Sequence, residues 1–360
     1  MPGLYIHIPF CVRKCRYCAF HSVPYSPKLV KPYIESLQKE AEKRKEVFRV
    51  TFDTVYIGGG TPSILHTAEL LEILKIINYN FNLSPQEFTI EVNPGTVDRE
   101  KLTYYKSKGI NRLSIGIQSL NDKELEYLGR IHTGKEAVKC FEDARYAGFE
   151  NISIDLIYGI PLQDKNSWHS TLNGITVLNP EHISAYSLSY EPETPLYGEE
   201  PMKEDLEEKL YYNMIDYLKC KGYKQYEISS FAISGYESRH NINYWGGGIY
   251  LGLGASAHSY DGTYRYANPR LYDYIKGKPH EREKITAEKA LEECIMLGLR
   301  KRAGISLPEI SHRFGRTVAE KLINEASILG LDIDGERVLV PRDKQFVSDA
   351  IILSITSHLC

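Results

Sequence analysis

No stretch of the 360-residue sequence approaches the roughly 18 consecutive apolar residues of a membrane-spanning helix, so no span is expected. A surplus of one charge sign is missing too. Lys and Arg number 44 against 47 Asp and Glu, a net charge of −3. No global basic field therefore exists to hold nucleic acid by counterion release. The opening MPGLYIHIPF has no basic n-region and is interrupted by His7 and Pro9. No secretory signal is read there, and a cytoplasmic location is expected. There is no internal repeat and no low-complexity tract, which excludes solenoids and fibres. Cysteine is scarce and odd in number, seven in all, which argues against a disulfide framework. Cys140, Cys220, Cys294 and Cys360 are scattered and read as ordinary thiols.

What is present is a recurring strand–helix alternation. Strand-like runs fall at Leu4–Ile8, Asp53–Ile57, Glu87–Val92, Arg112–Ile117, Ile152–Ile157 and His182–Leu188. Their starts are about 25 residues or more apart, room for a crossover helix each time. Tyr33–Phe48 and Asp205–Cys220 carry apolar stripes at helical spacing. Six such units predict an α/β fold: a parallel sheet curled into a partial (β/α)6 barrel. Past about residue 225 the pattern changes. A Gly-, Tyr- and Asn-rich stretch with short strand-like pieces runs from Arg239 to Asn268. Helical segments follow from about Thr286, then a hairpin around Asp334-Gly335 and a last helix from about Gln345. That order predicts a barrel with a β extension over 1–282 and a small, mostly helical, winged-helix-like domain over 283–360. Its middle helix carries only Lys321 beside Glu320 and Glu325, so a lid or docking role is expected rather than DNA binding.

The chemistry concentrates in Cys11-Val-Arg-Lys-Cys15-Arg-Tyr-Cys18. Three thiolates in one loop suit a soft metal centre. On a [4Fe–4S] cluster they leave one iron without a protein ligand and open to a small molecule. A Cys3His zinc site, completed by His21 or His7, is the competing reading, although no second Cys/His hook is visible. Gly58-Gly59-Gly60-Thr61-Pro62 follows the second strand and lets backbone approach a ligand closely, or is a plain turn. No Gly-Lys-Ser/Thr follows it, so it is not a phosphate-binding loop. Glu91, Gln118 and Asp155 lie at the ends of successive strands, where barrel enzymes keep their chemistry. A carboxylate there accepts from ribose hydroxyls, and Arg130 can pair with a carboxylate. The Gly252-Leu-Gly254 cluster lacks a strand–turn–helix setting, which excludes a dinucleotide fingerprint.

The triplet, with an aromatic residue just before its third cysteine, resembles the signature of the radical S-adenosylmethionine (SAM) superfamily. Tyr5-Ile-His7-Ile-Pro-Phe-Cys11, GGGTPS at 58–63, Glu91-Val-Asn-Pro94, Gly116-Ile-Gln-Ser119, Leu128-Gly-Arg-Ile-His132 and Asp155-Leu-Ile-Tyr-Gly159 resemble the oxygen-independent coproporphyrinogen III oxidase family. The resemblance runs from residue 4 to about 260 and more loosely beyond. It implies that Cys11, Cys15 and Cys18 hold a [4Fe–4S] cluster. It also implies that Tyr5, Tyr17, Gly59, Gly60, Thr61, Glu91, Gln118, Arg130, Asp155, Ile157 and Ala185 surround SAM. Of these, Gly59, Gly60 and Thr61 would take the amino end, and Ile157 and Ala185 would flank the adenine.

Two branches of that family differ in function. The decarboxylating oxidases carry an N-terminal extension and a fourth cysteine two residues after the third, where this sequence has Phe20. A heme-chaperone branch lacks both and carries His-Asn-x-x-Tyr-Trp, followed by a Tyr-x-Gly-x-Gly-x-x-Ala-His-Ser run. This chain has His240-Asn241-Ile-Asn-Tyr244-Trp245 and then Tyr250 to Ser259 in that pattern. The resemblance therefore implies heme, or a related tetrapyrrole, as a third bound group, with His240 as the candidate heme contact. It further implies a hemoprotein acceptor and an electron donor such as flavodoxin or ferredoxin. Peripheral membrane contact would suit heme delivery, though no amphipathic basic helix demands it. Oxidative decarboxylation of porphyrin propionates is the alternative. Heme methylation with ring opening, known from a related branch, is a third.

Overall fold

In each of the first six long strands, apolar and polar residues alternate in a way that decides what faces inward. A computed structural model describes residues 1–359. Those strands are β1 (Gly3–Ile8), β2 (Thr51–Gly59), β3 (Asn82–Val92), β4 (Arg112–Gln118), β5 (Ile152–Tyr158) and β6 (His182–Ser187). They pair in parallel in chain order, with registers such as Tyr5 beside Tyr56, Thr89 beside Arg112, and Asp155 beside Ser184. Every strand expected from the sequence is present, within a few residues of its expected bounds.

One set of alternate residues, including Leu4, Ile6, Val55, Ile57, Ile90, Leu113, Ile115, Ile154 and Ile183, joins the main apolar core. That core packs the sheet against α1 (Pro27–Arg44), α2 (Thr67–Asn80), α3 (Arg99–Ser107), α5 (Gly134–Tyr146), α6 (Lys165–Val177) and α7 (Glu204–Cys220), with α4 (Asp122–Leu128) between β4 and α5. The helix starts follow local chemistry. Thr133 and Glu136 form a reciprocal capping pair on α5, and Asp164 accepts from the backbone of Asn166 and Ser167 on α6. The other alternate set turns to the barrel interior and is largely polar: Tyr5, His7, Thr54, Tyr56, Glu91, Arg112, Ser114, Asp155, His182 and Ser184.

Beyond β6 the sheet grows at both ends to twelve strands. The antiparallel pair β7 (Lys224–Glu227) and β8 (Ser230–Ala232) adds beside β6. At the other edge β9 (Tyr250–Leu253) adds in parallel to β1, followed by antiparallel β10 (His258–Tyr260), β11 (Tyr264–Ala267) and β12 (Glu281–Lys284). A short helix, α8 (Arg239–Trp245), precedes β9 and α9 (Leu271–Ile275) follows β11. The sequence had suggested only strand-like pieces in this stretch. Ser238 caps α8 by accepting from Asn241 N, which makes a helix of a segment without strong helix formers.

Residues 287–359 form α10 (Ala287–Arg300), α11 (Leu307–Phe314), α12 (Arg316–Ile328) and α13 (Ser348–Leu359). A small antiparallel sheet of Ile305–Ser306, Arg337–Leu339 and Asp332–Asp334 completes them. They share a second core built on Leu291, Ile295, Ile310, Leu322, Val338 and Ile355. Backbone bonds from Ile228 N to Arg300 O and from Arg302 N to Tyr226 O tie this unit to the β7–β8 edge. Among the described residues, no helix is long and apolar enough to cross a membrane.

Candidate functional site

A cavity of about 590 Å³ opens at the C-terminal ends of the barrel strands. Cys11, Cys15 and Cys18 line it together with Tyr17, Gly59, Gly60, Thr61, Glu91, Gln118, Arg130, Asp155 and Ile157. Its size falls in the range of small-molecule sites.

The loop with the three cysteines leaves β1 through Pro9. A two-residue parallel ladder of Phe10–Cys11 with Val23–Pro24 closes its base. Its crest is pinned to the end of α4: Arg16 N donates to Leu128 O at 3.0 Å and Arg13 Nη2 to Gly129 O at 2.9 Å. Burial pushes the Cys18 thiol pKa up, partly offset by a hydrogen bond from the Phe20 backbone. Among the described residues, no three His, Cys, Asp or Glu side chains gather tightly enough to enclose a single ion. Both histidines that could supply the fourth ligand of a zinc site are turned elsewhere. His7 Nδ1 pairs with the Tyr5 hydroxyl at 2.9 Å and its Nε2 with the His21 carbonyl at 3.1 Å. His21 Nε2 accepts from Leu271 N at 3.1 Å. Three thiols on one cavity wall, with neither His7 nor His21 turned toward them among the described residues, suit a cubane with one uncovered iron better than a closed tetrahedral ion.

The glycine run is a cradle shaped by close approach. Gly60 N donates to Ile8 O at 2.8 Å and Thr61 N to Phe10 O at 2.8 Å, which lays the run against the cysteine loop. A Cβ at Gly60 would stand 2.7 Å from the Phe10 carbonyl oxygen and 3.0 Å from Cys11 Sγ. Gly59, at φ +113°, occupies a left-handed conformation against the His7 ring.

Across the cavity, Glu91 accepts from Tyr56 at 2.8 Å and from Gly59 N at 3.0 Å. Burial raises its pKa to about 7, against the pull of the Tyr56 hydrogen bond. Asp155 is pushed up by burial as well, opposed by Ser114, which donates at 2.9 Å. Gln118 sits at φ +71°, where a bulge shifts the β4–β5 register. The bulge turns its side chain to the cavity. Arg130 reaches both Asn93 Oδ1 and Gly116 O at 2.6 Å through Nη2, and its Nε is buried without a partner.

Three expected residues fall outside this lining. Tyr5 lies deeper in the barrel, against His7 and Tyr56. Ala185 belongs to the outward set of β6 and packs in the main core, so its side chain faces away from the cavity. The inward positions of that strand are Ser184 and Tyr186, both of which line the cavity. His240 is placed furthest from expectation. It is 1% exposed and closes the opposite end of the barrel, stacked on Tyr56 at 5.2 Å. Its Nδ1 pairs with Thr54 Oγ1 at 2.8 Å and its Nε2 with the Tyr244 hydroxyl at 3.1 Å. Burial pulls its pKa down to about 3. With both ring nitrogens engaged and no solvent access, the imidazole has no position left for a heme iron. The candidate heme contact is instead a buried side chain of α8, which Ser238 and Glu87 draw onto the barrel floor.

Reading motifs alone also missed Tyr56, Asn93, Arg112 and Ser114, all of which line the cavity. The signal was available in Arg112-Leu-Ser114-Ile-Gly116 and its counterparts, where every second residue of an apolar strand is polar or small.

Comparisons with known proteins agree with this geometry. The Radical SAM superfamily model matches residues 5–174, and the HemN C-terminal domain model matches residues 285–337. The chain is 38% identical over 335 residues to the heme chaperone HemW of Bacillus subtilis (strain 168), covering 88% of each chain. It is 36% identical over 333 residues to the HemW of Lactococcus lactis subsp. lactis (strain IL1403), covering 89% of this chain and 87% of that one. The fold superposes on the radical SAM enzyme coproporphyrinogen III oxidase (HemN) from Escherichia coli with a TM-score of 0.86. That match spans 99% of this chain and 90% of the other at 23% identity, a likeness of fold.

Proposed function

The chain belongs to the HemW family of radical SAM proteins, and from that premise we propose that it is a heme chaperone. It binds heme, one [4Fe–4S] cluster and SAM, and delivers heme to a hemoprotein acceptor in the cytoplasm or at a membrane face. An electron donor of the flavodoxin or ferredoxin class serves the cluster. The barrel with its β extension, 1–282, carries the cluster and SAM, and 283–360 acts as the lid or docking unit.

The observation that carries this reading is the cavity wall of three thiols with no fourth cysteine among the described residues that line it. At the position where the decarboxylating oxidases resembled above have one, Phe20 stands 69% exposed. Cys11, Cys15 and Cys18 hold the cluster as thiolates. When bound, that cluster supplies an iron with a free coordination position and a low-potential electron. Gly59, Gly60 and Thr61 present backbone to the amino end of SAM, Arg130 offers a guanidinium to its carboxylate, and Glu91 and Asp155 accept from its ribose hydroxyls. Glu91, held near neutral pH in its titration, passes readily to the carboxylate form when a hydroxyl donor arrives.

The test uses the full chain reconstituted without oxygen. Iron and sulfide should each approach four per chain and vanish in Cys15→Ala, and zinc in their place refutes the cluster. With SAM, a reductant and coproporphyrinogen III, no decarboxylated product is expected. Heme should bind with a stable Soret band and pass to an apo-hemoprotein. Decarboxylated porphyrinogen formed in step with 5′-deoxyadenosine refutes the chaperone assignment.

A further inference from the structure

We propose that Asn93 is a positioning residue that sets the reduction potential of the cluster, by holding Thr61 and Arg130 as hydrogen-bond donors to two of its three thiolate ligands. This inference rests on the cluster assignment above and extends it to a residue outside the expected binding set.

Asn93 lies directly after β3, and its backbone is fixed on both sides. Its N–H donates to Ser63 Oγ at 3.2 Å, and its carbonyl accepts from Thr96 N at 3.1 Å and Thr96 Oγ1 at 2.7 Å. The side-chain amide is oriented by its neighbours. Arg130 Nη2 donates to Oδ1 at 2.6 Å, so Nδ2 must face the other way, and it donates to Thr61 Oγ1 at 2.9 Å. The Thr61 oxygen is thereby occupied as an acceptor. Its proton turns outward, to Cys11 Sγ at 3.5 Å. At the other end of the chain, Arg130 Nη1 points at Cys15 Sγ at 3.4 Å. One amide thus orients the donor to Cys11 and, together with the Gly116 carbonyl that also accepts from Arg130 Nη2 at 2.6 Å, the donor to Cys15. Cys18 receives no comparable side-chain donor among the described residues.

Donors aimed at ligand sulfurs draw off negative charge and stabilise the reduced cluster, which carries one electron more. Thr61 and Cys11 are 5% and 8% exposed, so water is a poor replacement for the donor lost at that end of the network. Asn93→Asp removes the N–H that orients Thr61. Its hydroxyl then donates to the new carboxylate and abandons Cys11, while a negative charge is added nearby. Thr61→Val deletes the donor to Cys11 at nearly constant shape, and Thr61→Ser keeps it. Gly116→Ala acts from outside the donor set, because its Cβ would stand 2.6 Å from Asn93 Oδ1.

Each variant is made in the full chain and reconstituted without oxygen. Iron and sulfide are counted, and the midpoint potential is measured by dithionite titration with electron paramagnetic resonance, in the absence of SAM. Asn93→Asp and Thr61→Val should load a full cluster whose reduction equilibrium is at least tenfold less favourable, about 59 mV lower for a one-electron couple. Gly116→Ala should shift in the same direction, and Thr61→Ser should match the wild type. Wild-type potentials in fully loaded Asn93→Asp, Thr61→Val and Gly116→Ala overturn the proposal while leaving the cluster assignment standing. A wild-type chain that takes up no iron and sulfide overturns the cluster assignment itself.

Discussion

Replacing Glu91 by Gln should make the chain more stable, and only at higher pH. Glu91 is enclosed between Tyr56, Gly59 and the cavity, and burial lifts its pKa from the usual 4.5 to about 7. Between those two values the folded chain binds a proton that the unfolded chain has released. Stability therefore falls as pH rises from about 4.5 to about 7, and it levels off above. At about 1.4 kcal/mol per pH unit, the loss between pH 5 and pH 8 is about 2–3 kcal/mol. Contact with cavity water makes that an upper range. Gln has no charge to bury. Its oxygen can accept from Gly59 N, and its amide can donate to a rotated Tyr56 hydroxyl, so the native hydrogen bonds survive in number. Urea unfolding of the cluster-free chain, followed by circular dichroism at pH 5 and pH 8, measures the difference directly. The advantage of Glu91→Gln over wild type should grow by about 2 kcal/mol across that interval. A gap that stays constant refutes the raised pKa, and with it the reading of Glu91 as a carboxyl held against folding stability for a ligand.

Three further outcomes follow from the packing. His240→Ala empties a site held by Thr54, Tyr244 and the Tyr56 ring and should cost about 2–4 kcal/mol in denaturant unfolding. Because burial holds His240 near pKa 3 against an ordinary 6.5, the wild type sheds stability as pH falls below about 6.5, and the variant should shed less. Heme bound to the folded variant should keep the wild-type Soret position, and a changed axial ligand field would contradict the floor placement. Gly254→Ala forces a side chain at φ +99° to within 2.6 Å of the His7 carbonyl oxygen, and should lower the unfolding free energy by about 2 kcal/mol or more. Arg300→Ala removes a guanidinium that lies 5.1 Å over the Trp245 ring and 3.9 Å from buried Glu227. Residues 287–359 should then melt below the barrel in calorimetry, and a single unchanged transition would argue against that tether.

How much of this was legible in the sequence depends on the distance over which each feature is encoded. The six strands and the terminal helices announce themselves within ten or fifteen residues, through period and punctuation, and they were found where expected. The cysteine loop and the glycine cradle are equally local, and the structure sets them against one another on the same cavity wall. What needed the structure was parity and long-range register. Ala185 rests on the family resemblance and on no motif of its own, yet one residue either way decides which face of a strand a side chain takes, and Ser184 and Tyr186 hold the inward positions. Asn93 stood inside a quoted motif, but its importance lies in touching Thr61 and Arg130, 32 and 37 residues away. His240 was misplaced for the same reason. Its segment reads as a Gly-, Tyr- and Asn-rich stretch with short strand-like pieces, and only Glu87, 153 residues earlier in the chain, reveals by accepting from His240 N that its start is a helix plugging the barrel. The polar lining explains why such contacts are hard to foresee. Many of these inward polar residues are unfavourable when buried alone and become stable when a partner distant in sequence satisfies them, as Tyr56 does Glu91 and Ser114 does Asp155. A site of that kind is written across the whole sheet, and a linear motif records only the part of it that happens to be contiguous.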